Sequence, residues 1–538
     1  MSFADRTAIW ARGAAPLLTL FPALTIGGAV PIHAAPAGTA ADACQMLGTD
    51  SREAEIKAEP VAAGGSLGPA DTGGGAITLP AHCRVRATLH PAPGSSIGFE
   101  LWLPLGAAWS GRLQMLGNGG YSSQLPLPDM AAALARGSAV VATDTGHQGD
   151  DPDFAIGHPQ AIIDWGYRAV HASAVAAKRL VARFYRRAPR HSYFAGCSTG
   201  GHQALMEAQR YPADFDGILA GAPGSDRVRL NAAFLWQYLS NHPPWDDAHP
   251  ILDRGDLAIL AHGARGACRG ANGGAAGGLA SDAWLDDPMQ CRFDPAVLQC
   301  APGQASQCLG PDKVAAARRM YRGATDTRTG RILTTPWLPG SESGWSAYWA
   351  DPRQPDRPAR LSFWRVWAFA NPDWNWWQFD FGRDLDAVRA RLSPVIDATD
   401  PDLRSFAARG GKLLHYHGLA DPVVSPLDSI RYFGRSDEPG SSAWYRLFLV
   451  PGMAHCGGGS GFTRFDGQAA LERWVERRAP PDRIIASQGG TPAAATRPLC
   501  PYPAHAVFTG GNPAEAGNFQ CRPPDGGSAR RAGRAIIG

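Results

Sequence analysis

Three residues have the types and settings that nucleophilic acyl chemistry needs. Ser198 lies in Gly196-Cys197-Ser198-Thr199-Gly200, Asp421 in Gly418-Leu419-Ala420-Asp421-Pro422-Val423-Val424, and His455 in Pro451-Gly452-Met453-Ala454-His455-Cys456. A serine hydroxyl is a poor nucleophile until an imidazole removes its proton. A carboxylate then fixes the ring's tautomer and steadies the imidazolium. An apolar run before Ser198 and a helical pattern after it fit a sharp strand-to-helix turn that lifts the hydroxyl clear of a sheet edge. Glycines tolerate the backbone angles of so tight a turn. Each residue also has a bland reading, since Asp-Pro is a common turn former and one histidine among 15 is more often structural. Asp421 and His455 each fall just past a strand-like run, and in the order Ser, Asp, His the three read as nucleophile, orienting acid and base. His147, His202, His415 and His417 are rival bases. His202 belongs to the helix after the turn, facing away from a base position, and His415 and His417 sit on a strand where core packing is the simpler role.

Acyl chemistry also needs two backbone N–H groups aimed at the developing oxyanion. Thr199 supplies one, and the Gly117-Asn118-Gly119-Gly120 loop is the source of the other, at Gly119 or Gly120. Phosphate binding by that loop is disfavoured because no Lys-Ser/Thr follows it. The ten cysteines are even in number. Spacing pairs Cys268 with Cys291, Cys300 with Cys308, Cys500 with Cys521, and Cys44 with Cys83. Cys197 and Cys456 remain, and a Ser198–His455 contact would bring them within bridging distance. The alternative is a free Cys197 acting as nucleophile.

The elements that would hold these residues are strand-like runs at 83–89, 97–103, 112–116, 138–143, 192–195 and 216–220, then 412–417 and 445–450. Helical patterns fall at 165–185, 203–211 and 467–478, and one short helix is expected near 52–57. Alternating strands and helices imply a doubly wound, mainly parallel α/β sheet covered on both faces. The alternation stops between 226 and 399, where Pro, Gly, four cysteines and much of the tryptophan gather; this reads as an inserted lid. The expected division is 36–225 and 400–538 for the sheet domain, with 226–399 as the lid. Lid tryptophans Trp345, Trp364 and Trp377 could stack on an aromatic ligand, or simply fill the lid core. Val424, beside the acid, is a further candidate for substrate contact.

Arg6 and Arg12, an apolar small-residue run and Pro31-Ile32-His33-Ala34-Ala35 read as a secretory signal peptide at 1–35. Export to the periplasm or the medium suits disulfides. Net charge is +3 with no basic block, which excludes a nucleic-acid footprint. No later run is long and apolar enough to span a bilayer, and a monomer is expected.

Cys197-Ser198, Asp421 and His455-Cys456, with Gly-Asn-Gly-Gly at 117–120 and Pro-Gly-Met-Ala-His-Cys at 451–456, resemble the tannase/feruloyl esterase family of α/β-hydrolases. The stretch Arg497-Pro498-Leu499-Cys500-Pro501-Tyr502-Pro503 resembles the branch that includes mono(2-hydroxyethyl) terephthalate hydrolases. The resemblance implies an α/β-hydrolase fold with a lid, a serine esterase acting on small esters of aromatic acids, and the same five disulfides. It implies a lid arginine for a substrate carboxylate, for which Arg357 and Arg360 lie in the right region. It also implies a lid calcium, but of the family's acidic run only Asp282 is kept, with Asp286 and Asp287 nearby. Calcium favours six or more oxygen ligands, so no cofactor is expected and a structural calcium is disfavoured. The alternative to an enzyme is an exported protein that binds phenolic esters on a hydrolase fold.

Overall fold

Short runs of β-branched and aromatic residues between glycine and proline turns build one nine-stranded sheet. The structure, a computed structural model, describes residues 39–49, 54–68, 75–269, 278–279, 281–304, 306–489 and 494–524. The expected signal peptide at 1–35 lies outside them. The sheet strands are β1 (Ala54–Val61), β2 (His82–Leu89), β3 (Ile97–Pro104), β4 (Arg112–Leu116) and β5 (Ala139–Thr143). They continue as β6 (His191–Cys197), β7 (Gly217–Gly221), β8 (Lys412–Gly418) and β9 (Tyr445–Val450). Their spatial order is β1-β2-β3-β5-β4-β6-β7-β8-β9. The pairs β1–β2, β2–β3 and β3–β5 are antiparallel, and every pair from β5 to β9 is parallel. This is a mixed sheet with a parallel centre, the arrangement of an α/β-hydrolase.

Two-residue periodicity puts successive side chains on opposite faces. Phe194 of β6 packs with Leu113, Met115 and Ile218 in one core, while its neighbour Tyr193 joins Leu414, Phe448 and Trp474 in another. The main helices are α1 (Leu127–Ala135), α2 (Ala169–Tyr185), α3 (Thr199–Arg210), α4 (Arg227–Ser240) and α5 (Arg254–Arg269). After them come α6 (Pro311–Arg322), α7 (Arg383–Ile396), α8 (Pro426–Ser436) and α9 (Gly467–Arg477). Helices α2 and α3 supply Val170, Ala174, Leu205 and Met206 to the first core, and α9 supplies Leu471 and Trp474 to the second. Burial on both faces explains why the central strands are almost wholly apolar.

One expectation is corrected here. The segment near 52–57 is not a helix: from Ala54 it forms β1, paired in register with β2 from Ala54–Leu89 to Val61–His82. Its charges suggest a helical face, but alternating exposure along a sheet edge accommodates them equally well. Strands β7 and β8 are neighbours, so residues 222–411 leave the sheet and return beside their starting point. That excursion carries α4 to α7 and two aromatic cores. One holds Val228, Phe363, Trp364, Trp367 and Ile396 with Tyr121 and Trp165. The other holds Leu257, Leu260, Val314, Met320, Trp337 and Trp345. Five disulfides pair all ten cysteines as expected. Among the described residues no helix is long and apolar enough to cross a membrane.

Candidate active site

Strand β6 ends at Cys197 and α3 starts at Thr199, which leaves Ser198 alone in the turn with φ +62° and ψ −114°. A non-glycine residue adopts that conformation only where its surroundings enforce it. Here the Ser198 N–H donates to Gly221 O at 2.9 Å, and its carbonyl accepts from His202 N at 2.9 Å and Gly224 N at 3.2 Å. The glycines let the segments meet. A Cβ at Gly196 would lie 2.6 Å from Gly200 Cα, one at Gly201 would lie 2.2 Å from Gly221 O, and one at Gly117 would lie 2.6 Å from Gly200 Cα.

The acid sits in the turn after β8 and the histidine in the loop after β9. Asp421 is fully buried. Its Oδ1 accepts from Val423 N at 2.8 Å and Val424 N at 3.0 Å, and its Oδ2 lies 2.7 Å from His455 Nδ1 and 3.2 Å from His417 Nε2. Burial alone would push this carboxyl up, but the His455 charge and the hydrogen bonds from His417 and His455 outweigh it and hold it below the ordinary carboxylate range. With Nδ1 engaged, His455 has Nε2 left for a proton acceptor's role. The Cys197–Cys456 disulfide, with Cα atoms 5.8 Å apart, joins the residue before the serine to the residue after the histidine.

The rival histidines are otherwise occupied. His202 is buried with Nε2 donating to Ile396 O at 2.8 Å, and burial pushes its pKa down to about 3. His147 bonds Tyr121 O and Thr145 Oγ1. His415 lies between Tyr445 and Ser429, and burial holds it well below the ordinary imidazole value. His417 does more than pack the core: its Nε2 is shared between Val424 O at 3.0 Å and the Asp421 carboxylate at 3.2 Å, while its Nδ1 meets Ser429 Oγ at 2.6 Å.

Thr199 opens α3, so its N–H belongs to the first turn that has no intrahelical acceptor. Its hydroxyl donates to Gly120 O at 2.7 Å, tying the elbow to the loop after β4. That loop is held from below, where Asn118 Nδ2 donates to Thr143 O at 2.9 Å and Asn118 N to Gln203 Oε1 at 3.1 Å. Gly120 takes φ +55°, and beside Gly119 the space is open. A serine on a strained turn, N–H groups in the first helical turn and in a glycine-rich loop, and a histidine held by a carboxylate are the groups that acyl transfer needs. A cleft of about 1100 Å³ elsewhere, lined by Ile56, Tyr167, His171 and Tyr211 among others, contains none of these residues.

The family model for tannase and feruloyl esterase matches residues 83–522. The chain belongs to the tannase and feruloyl esterase family. A mono(2-hydroxyethyl) terephthalate hydrolase of Piscinibacter sakaiensis is 35% identical over 529 residues, covering 84% of this chain and 86% of that one. A probable feruloyl esterase B-1 of Aspergillus flavus is 31% identical over 471 residues, covering 82% of this chain and 86% of that one. The crystal structure of feruloyl esterase B from Aspergillus oryzae superposes with a TM-score of 0.80 at 26% identity, covering 90% of this chain and 100% of that one. The protein is therefore a carboxylic ester hydrolase, and the reading as a binding protein without catalysis falls away.

Several sequence candidates for substrate contact are relocated by the fold. Trp345 is buried in the core around α5 and α6, with Nε1 donating to Ser341 Oγ at 2.9 Å. Trp364 is fully buried against Phe369, Trp374 and Phe379. Neither offers surface to a ligand. Trp377 is half-buried and donates to Asp247 Oδ1 at 3.0 Å. Arg357 is exposed, in a turn where its carbonyl accepts from Asp351 N. Arg360 lies against the loop after β4, where a Cβ on Gly120 would meet its Nη2 at 3.1 Å; its guanidinium is 5.4 Å from the Tyr121 ring and 5.7 Å from the Tyr348 ring, and Nη1 donates to Asp150 O at 3.0 Å. Val424 packs with Phe234 and Tyr348, whose rings stack at 4.5 Å. Phe234, Tyr348 and Arg227 are not singled out by the sequence, where His417 appears only as a rival base; adjacency in space to Val424, Thr199 or Asp421 marks all four.

The acidic residues weighed for calcium have other partners. Asp282 accepts from Arg497 Nη1 at 2.8 Å and Leu279 N at 3.0 Å, so its charge is already met by a guanidinium. Asp286 accepts from Trp284 Nε1, and burial pushes its pKa up to about 6. Asp287 caps Met289 N. Among the described residues, Asp282 is thus paired with an arginine and Asp286 sits where burial disfavours its charge, whereas calcium favours several ionised oxygens.

Proposed function

We propose that the protein is an exported serine esterase that cleaves esters of aromatic acids, of the feruloyl, galloyl or terephthalate-monoester type, through an acyl-enzyme. The observation that carries the reading is the 2.7 Å bond from His455 Nδ1 to Asp421 Oδ2, on a loop bridged through Cys456 to the residue before Ser198. In the proposed reaction Ser198 Oγ attacks the ester carbonyl as its proton passes to His455 Nε2. The N–H groups of Thr199 and of Gly119 or Gly120 bind the oxyanion. Collapse of the tetrahedral adduct returns the proton from His455 to the departing alkoxide. Water, deprotonated by the same imidazole, then releases the acid and regenerates Ser198. Asp421 stays ionised throughout and steadies the imidazolium, a role its depressed pKa supports.

The aromatic preference is supported by the names of the relatives, which include a terephthalate monoester hydrolase and feruloyl esterases. It is supported also by the stacked Phe234 and Tyr348 beside Val424, which the acid's own turn carries toward them. No step uses a cofactor. A panel of p-nitrophenyl esters, methyl ferulate, methyl gallate and the terephthalate monoester tests the reading on wild type and Ser198→Ala. Aryl-ester turnover that disappears in Ser198→Ala is the expected result; equal rates in the two proteins would sink the serine mechanism.

A further inference from the structure

Arg227, the first residue of α4, is 4% exposed, and its guanidinium is not neutralised in the usual way. Nη2 donates to Thr199 Oγ1, and Cζ lies 5.0 Å from the Trp165 ring and 5.8 Å from the Tyr121 ring. Among the described residues Nε has no hydrogen-bond partner. A cation buried with so few acceptors is unfavourable by itself, and burial accordingly pushes its pKa down. What the placement accomplishes is local. The Thr199 hydroxyl accepts from Arg227 and spends its own proton on Gly120 O at 2.7 Å. One hydroxyl is thereby fixed in both roles, with no rotation left to it.

The two segments joined in this way are the two that supply backbone donors to the oxyanion: the elbow through Thr199 and the loop after β4 through Gly119 or Gly120. They come from different strands, and the separation of their N–H groups is set by whatever couples them. We propose that Arg227 is a positioning residue of the oxyanion hole, which holds the Thr199 hydroxyl so that it ties the elbow to the 117–120 loop. The proposal rests on the esterase reading. Arginine suits the place because its flat guanidinium can lie over Trp165 while reaching the hydroxyl, which a lysine ammonium cannot reproduce.

The test compares Thr199→Val, Thr199→Ser, Arg227→Met and the Thr199→Val/Arg227→Met double variant on p-nitrophenyl acetate. Affinity for an aryl trifluoromethyl ketone, whose serine adduct carries the oxyanion, is measured alongside. Wild-type turnover that is lost in Ser198→Ala establishes the reaction first, so failure of that reading is seen separately. Displacing a donor rather than deleting it is expected to lower kcat by about tenfold to a hundredfold. Thr199→Val and Arg227→Met should each do so with KM within twofold, and ketone affinity should fall by the same factor. Thr199→Ser should restore turnover, and the double variant should be no worse than the poorer single one. Turnover of Thr199→Val within twofold of wild type, unchanged ketone affinity, or multiplicative losses in the double variant would each overturn the proposal. Should Arg227→Met not fold, the contrast between Thr199→Val and Thr199→Ser decides alone.

Discussion

Replacing both Cys197 and Cys456 by serine separates what the bridge does for stability from what it does for catalysis. The two cysteines are 259 residues apart in sequence. For a loop of that length, chain entropy gives the cross-link a stabilising contribution of about 5.5 kcal/mol, and observed contributions of disulfides run from about 2 to 4 kcal/mol. A loss in that range should appear as a lower denaturant midpoint. The catalytic effect has another source. Cys456 holds φ +63°, next to His455, and Ser198 holds φ +62°, next to Cys197. A non-glycine residue in the left-handed region is disfavoured by about 1–2 kcal/mol, so without the bridge the loop can relax by about that amount into conformers that misplace the imidazole. A shift of 1.4 kcal/mol is about tenfold in population, and kcat should fall roughly tenfold with KM little changed. Turnover of p-nitrophenyl esters is measured at denaturant concentrations where circular dichroism shows both proteins fully folded. If the folded double variant keeps kcat within twofold of wild type, the bridge stabilises the fold and the reasoning about loop strain is wrong.

Asp421→Asn should lower kcat by about 10³–10⁴-fold, because an amide can offer His455 Nδ1 the wrong hydrogen-bond role; a loss under tenfold would mean Asp421 is not the orienting acid. Tyr348→Ala should raise KM for methyl ferulate several-fold while leaving p-nitrophenyl acetate nearly unchanged, and equal effects on both esters would remove Tyr348 from the acyl pocket. Burial, with Asp226 nearby, pushes the Asp397 carboxyl up to about 7, so between about pH 4 and 7 the folded state holds a proton that the unfolded state has released. Stability should therefore decline as pH rises through that window, by on the order of 1 kcal/mol per unit from this group. Urea midpoints at pH 5 and 7 should show the decline in wild type and less of it in Asp397→Asn; an identical slope in both would place the pH dependence elsewhere. Dialysis against EDTA should leave the melting temperature and turnover unchanged, since Asp282 is paired with Arg497; a marked fall restored by calcium would contradict that account of these carboxylates.

The sequence by itself determined the candidate reacting types, their order and the frame that carries them. Strand runs are short, apolar and closed by glycine, so their positions follow from local pattern. Gly196-Cys197-Ser198-Thr199-Gly200 demands a tight turn because of clashes within a few residues of Ser198. The cysteines at 197 and 456 could be paired because each adjoins a residue that must meet the other. Edge strand β1 was misread because alternating charge fits a helix face and a sheet edge alike, and only pairing with β2 selects between them. The tertiary structure alone decided which aromatic residues pack and which face the site. Trp345 and Trp364 have the composition of a binding wall, yet they lie inside the inserted region, because a long excursion from the sheet must bury an apolar core of its own. Arg227 reaches Thr199 from 28 residues further along the chain, a contact that no local spacing encodes, whereas His417 lies four residues before Asp421 and only the turn after β8 brings its ring to the carboxylate. The candidate reacting residues are legible in motifs a few residues long; most of what surrounds them depends on contacts between segments distant in the chain.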